Sequence, residues 1–263
     1  MNIAVCIKQV PDTNDIKWSK ENNIIREGAS SILNPYDEFA IQAALDIKEK
    51  YGARITVISM GPKQATEVLE YALSKGCDEA ILLTDKKFAG SDTLATGKTL
   101  AKCIKAQVPG FQLVVCGQFA IDGDTAQTGP SIASHLGISQ VTFLKEIIML
   151  NTSAKTILVK QELEDGYNML EADLPCVLCT LKGDEKSLYI PKIADYIRAS
   201  KLSVQTCSAD DIGLLPDECG IKGSPTFVSK AFRPQINRKA QMADCEEDCA
   251  NTVLEKIFEV YEK

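Results

Sequence analysis

The residues whose types and spacing best suit chemistry lie between Leu113 and Leu136, in LVVCGQFAIDGDTAQTGPSIASHL. The pairs Asp122-Gly123, Asp124-Thr125 and Thr128-Gly129, closed by Pro130, separate a short apolar run from a helix-periodic one. A buried strand running out at Gly117, a loop rich in backbone donors and a helix beginning near Ser131 follow from that pattern. Such a junction offers unpaired amides and the positive end of a helix dipole, and a phosphate is the usual occupant. Two readings stay open on these residues alone: a phosphate or nucleotide cradle, and a capped turn that binds nothing. The loop matches neither GxGxxG nor the P-loop pattern.

Other chemistry finds little material. An enzyme working alone needs a nucleophile with a base, a paired acid and base, or a metal site. His135 is the only histidine, one turn into that helix with core on the other face, so it reads as structural. No Ser–His–Asp set forms without it. Asp122 and Asp124 suit orienting a ribose or an amine better than acid–base work. Cys176 and Cys179 sit in an apolar run after Pro175, and Cys245 and Cys249 among acidic residues. Zinc and iron–sulfur sites usually take four such ligands, so buried thiols are expected and no metal is assigned. No catalytic residue is assigned either, and any chemistry is expected to be a cofactor's.

The elements that must position the loop form a regular series. Residues 3–7 read as a central parallel strand that must leave at Pro11. Residues 14–23 look like a solvated excursion with a hairpin around Asn22-Asn23. Asn34-Pro35-Tyr36-Asp37-Glu38 starts a helix: Asn34 as cap, Pro35 in the first position, two acids at the positive end. Strands at 54–59, 79–83 and 111–116 alternate with helices at 64–74 and 93–106. This order predicts an α/β fold, a parallel doubly wound sheet whose ligands bind at the strand ends 8–12, 59–62 and 117–124. Segments 141–150 and 154–163 read as a small antiparallel extension, and Glu162, Glu164, Asp165, Glu171 and Asp173 as a solvated acidic face.

Later segments are less regular. Residues 182–201 form an ordered surface loop with a short helix at 191–200, where Tyr189, Ile190 and Ile193 are either core or a docking patch. Residues 203–233 show little periodicity and read as an arm lying on another chain. A helix at 240–261 becomes amphipathic toward its end. The division expected is a nucleotide-binding domain at 1–202 and an arm with a C-terminal helix at 203–263.

Composition narrows the class. A chain of 263 residues, 45% apolar, 25% charged and with a formal charge of −7 makes a nucleic-acid surface unexpected. No window approaches twenty continuous apolar residues, so no membrane insertion is expected. The ten cysteines, mostly single and inside strand-like runs, fit reduced thiols and a cytoplasmic location.

Five stretches together resemble the small, or beta, subunit of an electron transfer flavoprotein. They are Val5-Cys6-Ile7-Lys8-Gln9-Val10-Pro11-Asp12, Asn34-Pro35-Tyr36-Asp37-Glu38, Ser59-Met60-Gly61-Pro62, Asp122-Gly123-Asp124-Thr125-Ala126-Gln127-Thr128-Gly129, and Tyr189-Ile190-Pro191. The resemblance implies an adenine-nucleotide-binding fold paired with a large alpha subunit that holds the electron-carrying FAD. It implies a phosphate cradle at Asp124, Thr125, Ala126, Gln127, Thr128 and Gly129, with Asp122 and Gly123 beside it. It implies an adenine neighbourhood at Cys6, Ile7, Lys8, Asn34 and Met60. Residues 184–199 correspond to the loop that docks an acyl-CoA or 2-hydroxy-acid dehydrogenase, with Ile190 as the inserting residue.

One departure carries information. Ordinary members read Asp-Asp-Asp-x-Asn-Gln-Thr-Gly and bind AMP, whereas this chain has Gly123 and Ala126, followed by Pro130. That wording resembles the electron-bifurcating subclass of anaerobes, whose small subunit holds a second FAD. Losing a charge and a side chain suits a pyrophosphate. The mechanism implied is hydride transfer from NADH to that FAD, then one electron to ferredoxin or flavodoxin and the other, through the large subunit's FAD, to the dehydrogenase. The alternatives are an AMP-holding subunit of a simple shuttle, a universal-stress-like nucleotide-binding regulatory protein, and an adenylating or sulfur-transfer enzyme, whose SGGxDS loop is missing.

Overall fold

The computed structural model describes residues 1–12, 17–18, 24–25, 31–227, 229 and 249–261. Residues Met1–Ser229 form one compact unit and Lys230–Lys263 a second. In the first, β1 (Asn2–Ile7), β6 (Arg54–Met60), β7 (Glu79–Leu83) and β8 (Phe111–Gly117) alternate with α1 (Pro35–Tyr51), α2 (Thr66–Lys75) and α3 (Thr93–Gln107). After α4 (Thr128–Leu136) come β9 (Ser139–Asn151), β10 (Thr156–Leu163), β11 (Gly166–Asp173) and β12 (Cys176–Thr180). The short α5 (Ile193–Ala199) and β13 (Val204–Cys207) follow. The strands form one sheet in the order β11-β10-β9-β12-β8-β1-β6-β7-β13. Pairing is parallel from β9 across to β13, while β10 runs antiparallel to both β9 and β11.

Period-two alternation divides the core. Ile3, Val5 and Ile7 face α1 and α2, whereas Ala4 and Cys6 face α3 and α4. Helices on both faces are what near-continuous apolar strands require, since each strand buries both sides. The chain winds from β1 toward β6 and β7, then returns to the other side of β1 at β8. The winding therefore reverses between β1 and β8, and a crevice opens at their C-terminal ends.

Three sequence expectations can be set against the structure. The antiparallel extension is present and continues the parallel sheet: the first residues of β9 pair parallel with β12 and its later ones antiparallel with β10. Second, β13 pairs in parallel with β7 as an edge strand where a structureless arm was expected, and the compact unit runs on past 202 to Ser229. The physical reason is burial: Cys207, Ala209, Ile212, Leu214 and Cys219 belong to the core under α3. Glu218 further pins the segment to α3 through Lys98 and Lys102, both at 2.8 Å. Residues 203–227 thus cover their own sheet. Third, the C-terminal helix is described only as α6 (Cys249–Tyr261), and residues 240–248 of the expected helix lie outside the described residues. The expected hairpin is present as β3 (Lys17–Trp18) against β4 (Ile24–Ile25), its turn also lying outside them. A second short pair joins β2 (Gln9–Pro11) and β5 (Ser31–Leu33).

Between α1 and α2 the Lys75 ammonium, its side chain only 1% exposed, pairs with Glu38. Orphaning one member of a buried pair costs more than the pair contributes. Lys75→Met is expected to destabilise the chain by about 3 kcal/mol, and Glu38→Gln added to it to recover at least half, read as urea midpoints.

Candidate functional site

The site is assembled where β1 and β8 end. After Gly117 the chain turns through residues 118–127, and Asn34 holds that turn. Its Nδ2 donates to the Phe119 carbonyl at 2.9 Å, and its Oδ1 accepts from Ile121 N–H at 3.2 Å. Asn34 does precede α1, yet its side chain caps nothing in the helix. The expected cap is therefore a loop clamp, because a buried amide facing two loop peptides satisfies all of them at once. The Tyr36 ring lies against Phe119 with centroids 4.2 Å apart. Farther along, Gly123 and Asp124 N–H both donate to the Ala120 carbonyl, at 3.1 and 2.9 Å. Lys8 Nζ, reaching over from the end of β1, meets the Asp122 carboxylate at 2.7 Å.

The loop's last turn is strained and open. Asp124 and Ala126 adopt φ of 51° and 54°, which residues with a Cβ seldom take. Ala126 in the left-handed region followed by Gln127 in the right-handed one is the dihedral alternation that, in general, turns successive N–H groups toward one anion. Gln127 then precedes α4 without any side-chain cap, its Oε1 being taken by the Thr93 hydroxyl at 3.0 Å. The neighbouring helix shows the contrast. At the start of α3, Asp92 accepts from Ala95 N–H at 3.0 Å and from the backbone and hydroxyl of Thr226 at 3.1 and 2.8 Å. The anion position is filled there by the protein's own carboxylate, whereas no side chain caps α4.

The structure brings together Lys8, Asn34, Asp122, Gly123, Asp124, Thr125, Ala126, Gln127, Thr128 and Gly129. Cys6 and Ile7 are buried core residues whose side chains face opposite sides of the sheet, so no single ligand meets both side chains. Met60 lies beyond β1 at the end of β6, half-buried, and lines a cleft of about 430 Å³ with Gly61, Thr84, Phe88 and Ser91. His135 sits in the last turn of α4, at the far end of the helix from the loop. The Cys176 and Cys179 thiols also face opposite sides of the sheet and share no ligand. Asp37 was missed as a site residue: it is buried against the ends of β1 and β8. Its spacing gave no sign of this, since an acid in the first turn of a helix is ordinarily a solvated partner of the dipole.

Residues 22–211 match the family model described as the electron transfer flavoprotein domain. The chain belongs to the electron transfer flavoprotein family. It is 42% identical over 251 residues to an electron transfer flavoprotein subunit beta of Clostridium acetobutylicum, covering 93% of this chain and 92% of that one. It is 44% identical over 246 residues to the caffeyl-CoA reductase-Etf complex subunit CarD of Acetobacterium woodii, covering 92% and 91%. Protein FixA of Azorhizobium caulinodans is 40% identical over 265 residues, covering 98% and 94%. The chain is thus a beta-subunit homologue with a role in electron transfer. No helix among the described residues is long and apolar enough to cross a membrane.

In this electron transfer flavoprotein chain the open helix start rests directly on the sheet. A Cβ on Gly129 would lie 2.3 Å from the Cys179 Sγ. Gly129→Ala is expected to cost about 1–3 kcal/mol by overpacking, and Cys179→Ala in the same chain to return most of it. Denaturant midpoints of the two single variants and the double one measure that coupling.

Proposed function

We propose that the chain is the nucleotide-binding small subunit of a heterodimeric electron transfer flavoprotein, and that residues 122–129 hold the diphosphate of an FAD. The observation that carries the reading is the uncapped start of α4 behind two left-handed residues, set beside a helix closed by its own aspartate. FAD bound there supplies acceptance of hydride from NADH and single-electron delivery to ferredoxin or flavodoxin and, through the large subunit's FAD, to a dehydrogenase.

The residues of this chain bind and orient. Backbone donors at Ala126, Gln127, Thr128 and Gly129 serve phosphate oxygens, and Lys8, steadied by Asp122, adds positive charge at the strand end. Open space surrounds the place where a Gly123 side chain would begin, which suits a ligand larger than a mononucleotide. AMP held structurally in a simple shuttle is the competing occupant.

Residues 184–199 suit a partner dehydrogenase. Ile190 and Ile193 are 79% and 81% exposed, which removes them from the core. A polar frame holds them out: Tyr189 Oη donates to Asp195 at 2.6 Å, its N–H to Gln42 at 2.8 Å, and Arg198 donates to the Leu73 carbonyl at 3.0 Å. The relative from Acetobacterium woodii is named as part of a caffeyl-CoA reductase complex. That name favours an acyl-CoA substrate class over a 2-hydroxy acid for the partner of this chain.

Denaturing the complex purified with its large subunit and counting released nucleotides tests the proposal. Two FAD and no AMP per heterodimer is the expected result, and one FAD with one AMP overturns the FAD assignment. Gly123→Asp with Ala126→Asn is expected to fold normally, since Gly123 has open space and asparagine tolerates the left-handed region. It is expected to weaken FAD retention about tenfold, or 1.4 kcal/mol, while AMP is retained.

A further inference from the structure

A single carboxylate plugs the crevice where the winding reverses. Asp37, in the first turn of α1, is only 5% exposed. Its Oδ2 accepts from Lys8 N–H at 2.7 Å and its Oδ1 from Gly117 N–H at 3.2 Å. These are the amides at which β1 and β8 finish, and they lie far apart in sequence. The seat is tight, for a Cβ on Gly117 would stand 2.3 Å from Oδ1 and 2.8 Å from the Tyr36 backbone. Beyond the two amides both arms of the candidate site begin. The Lys8 side chain runs on to Asp122, and Gly117 leads through Gln118 to the turn that Asn34 clamps.

We propose that Asp37 is a positioning residue for the nucleotide site: ionised, it binds one strand end with each oxygen and so sets the register of Lys8 against residues 117–122. The proposal rests on the nucleotide reading above. A carboxylate accepts from both N–H groups, whereas a neutral carboxyl turns one oxygen into a hydroxyl and releases one strand end. No other side chain of similar size does the same, because an amide places a donor against one of the two N–H groups.

The charge state changes in an accessible range. Burial pushes the Asp37 carboxyl up to about 7, opposed by the Asn34 side chain, the two N–H donors and the positive charge of Lys8. From β8 the Cys116 thiol, itself neutral and raised well above the ordinary range by its hydrogen bond with Cys6 and by burial, also lies within electrostatic reach of the group. Between about pH 4 and 7 the folded chain then holds a proton that the unfolded chain does not, so this group's contribution to stability falls as pH rises through that window. Nucleotide binding needs the ionised form and rises over the upper part of the same window. A purely structural carboxylate gives only the first slope.

The test is calorimetric titration of the full-length chain with FAD, whose pyrophosphate diester does not titrate near neutrality, and with AMP, between pH 6 and 8.5. With wild type, FAD is expected to bind about tenfold more weakly at pH 6 than at pH 8, following the ionised fraction. Asp37→Asn is expected to bind at least tenfold more weakly than wild type at pH 8, without pH dependence, and to lose the stability slope between pH 4 and 7. If that variant fails to fold, the wild-type pH series alone decides. FAD affinity that is flat or tighter at pH 6, or an Asp37→Asn chain binding like wild type, overturns the positioning role and leaves the nucleotide site standing. Absence of both FAD and AMP binding at every pH overturns the site reading, and the positioning role with it.

Discussion

Where two parallel strands part at their C-terminal ends, backbone N–H groups lose their ladder partners and must find other acceptors. That constraint organises the molecule. The deepest amides, of Lys8 and Gly117, go to the Asp37 carboxylate. Those of the next turn go to the Asn34 side chain and the Ala120 carbonyl. The donors at the start of α4 receive no capping side chain. The protein supplies acceptors from the crevice outward and stops at the start of α4, which is why the nucleotide proposed above is placed there.

The floor beneath that place is built from thiols. Cys6, Cys116 and Cys179 stand opposite one another on β1, β8 and β12 in matched register, on the face that carries α3 and α4. Small side chains there let Gly129 come down onto the sheet, and a bulkier row would lift the helix start and change the concavity. The chemistry of Cys116 and Cys179 is suppressed. The hydrogen bond with Cys6 and burial hold Cys116 well above the usual thiol range, and burial does the same for Cys179. Thiols so raised are neutral packing groups without nucleophilic character.

Much of this was legible from residue order. Alternating apolar runs and helical periods led to a doubly wound sheet, and the small residues from Asp122 to Gly129 marked the loop before any distance was known. What escaped notice was long-range and polar. Asn34 looks like a helix cap because local pattern says nothing of Phe119 and Ile121, more than eighty residues away. Asp37 looks like a dipole partner because the N–H groups that donate to it lie at the ends of two distant strands. Val204–Cys207 fills an edge with only four residues, of which Gln205 and Thr206 stay exposed, so no alternation long enough to read exists. Periodicity reports burial along an element. It does not report which distant backbone a buried polar group completes.

The strain in the loop fits this division. Asp124 and Ala126 are held in the left-handed region without the freedom of glycine, at a cost of order 1 kcal/mol each. Surrounding contacts over-determine them: the Ala120 carbonyl fixes the turn before Asp124, and the Thr93 hydroxyl fixes Gln127 just after Ala126. Since these contacts are internal to the chain, the concavity exists before any ligand arrives. Ordering has then been met during folding, so the phosphate proposed for this loop would meet donors already in place. Gly123 is the exception to this rigidity. Nothing packs where its side chain would be, so the wall on that side is the one free to differ between ligands of different size.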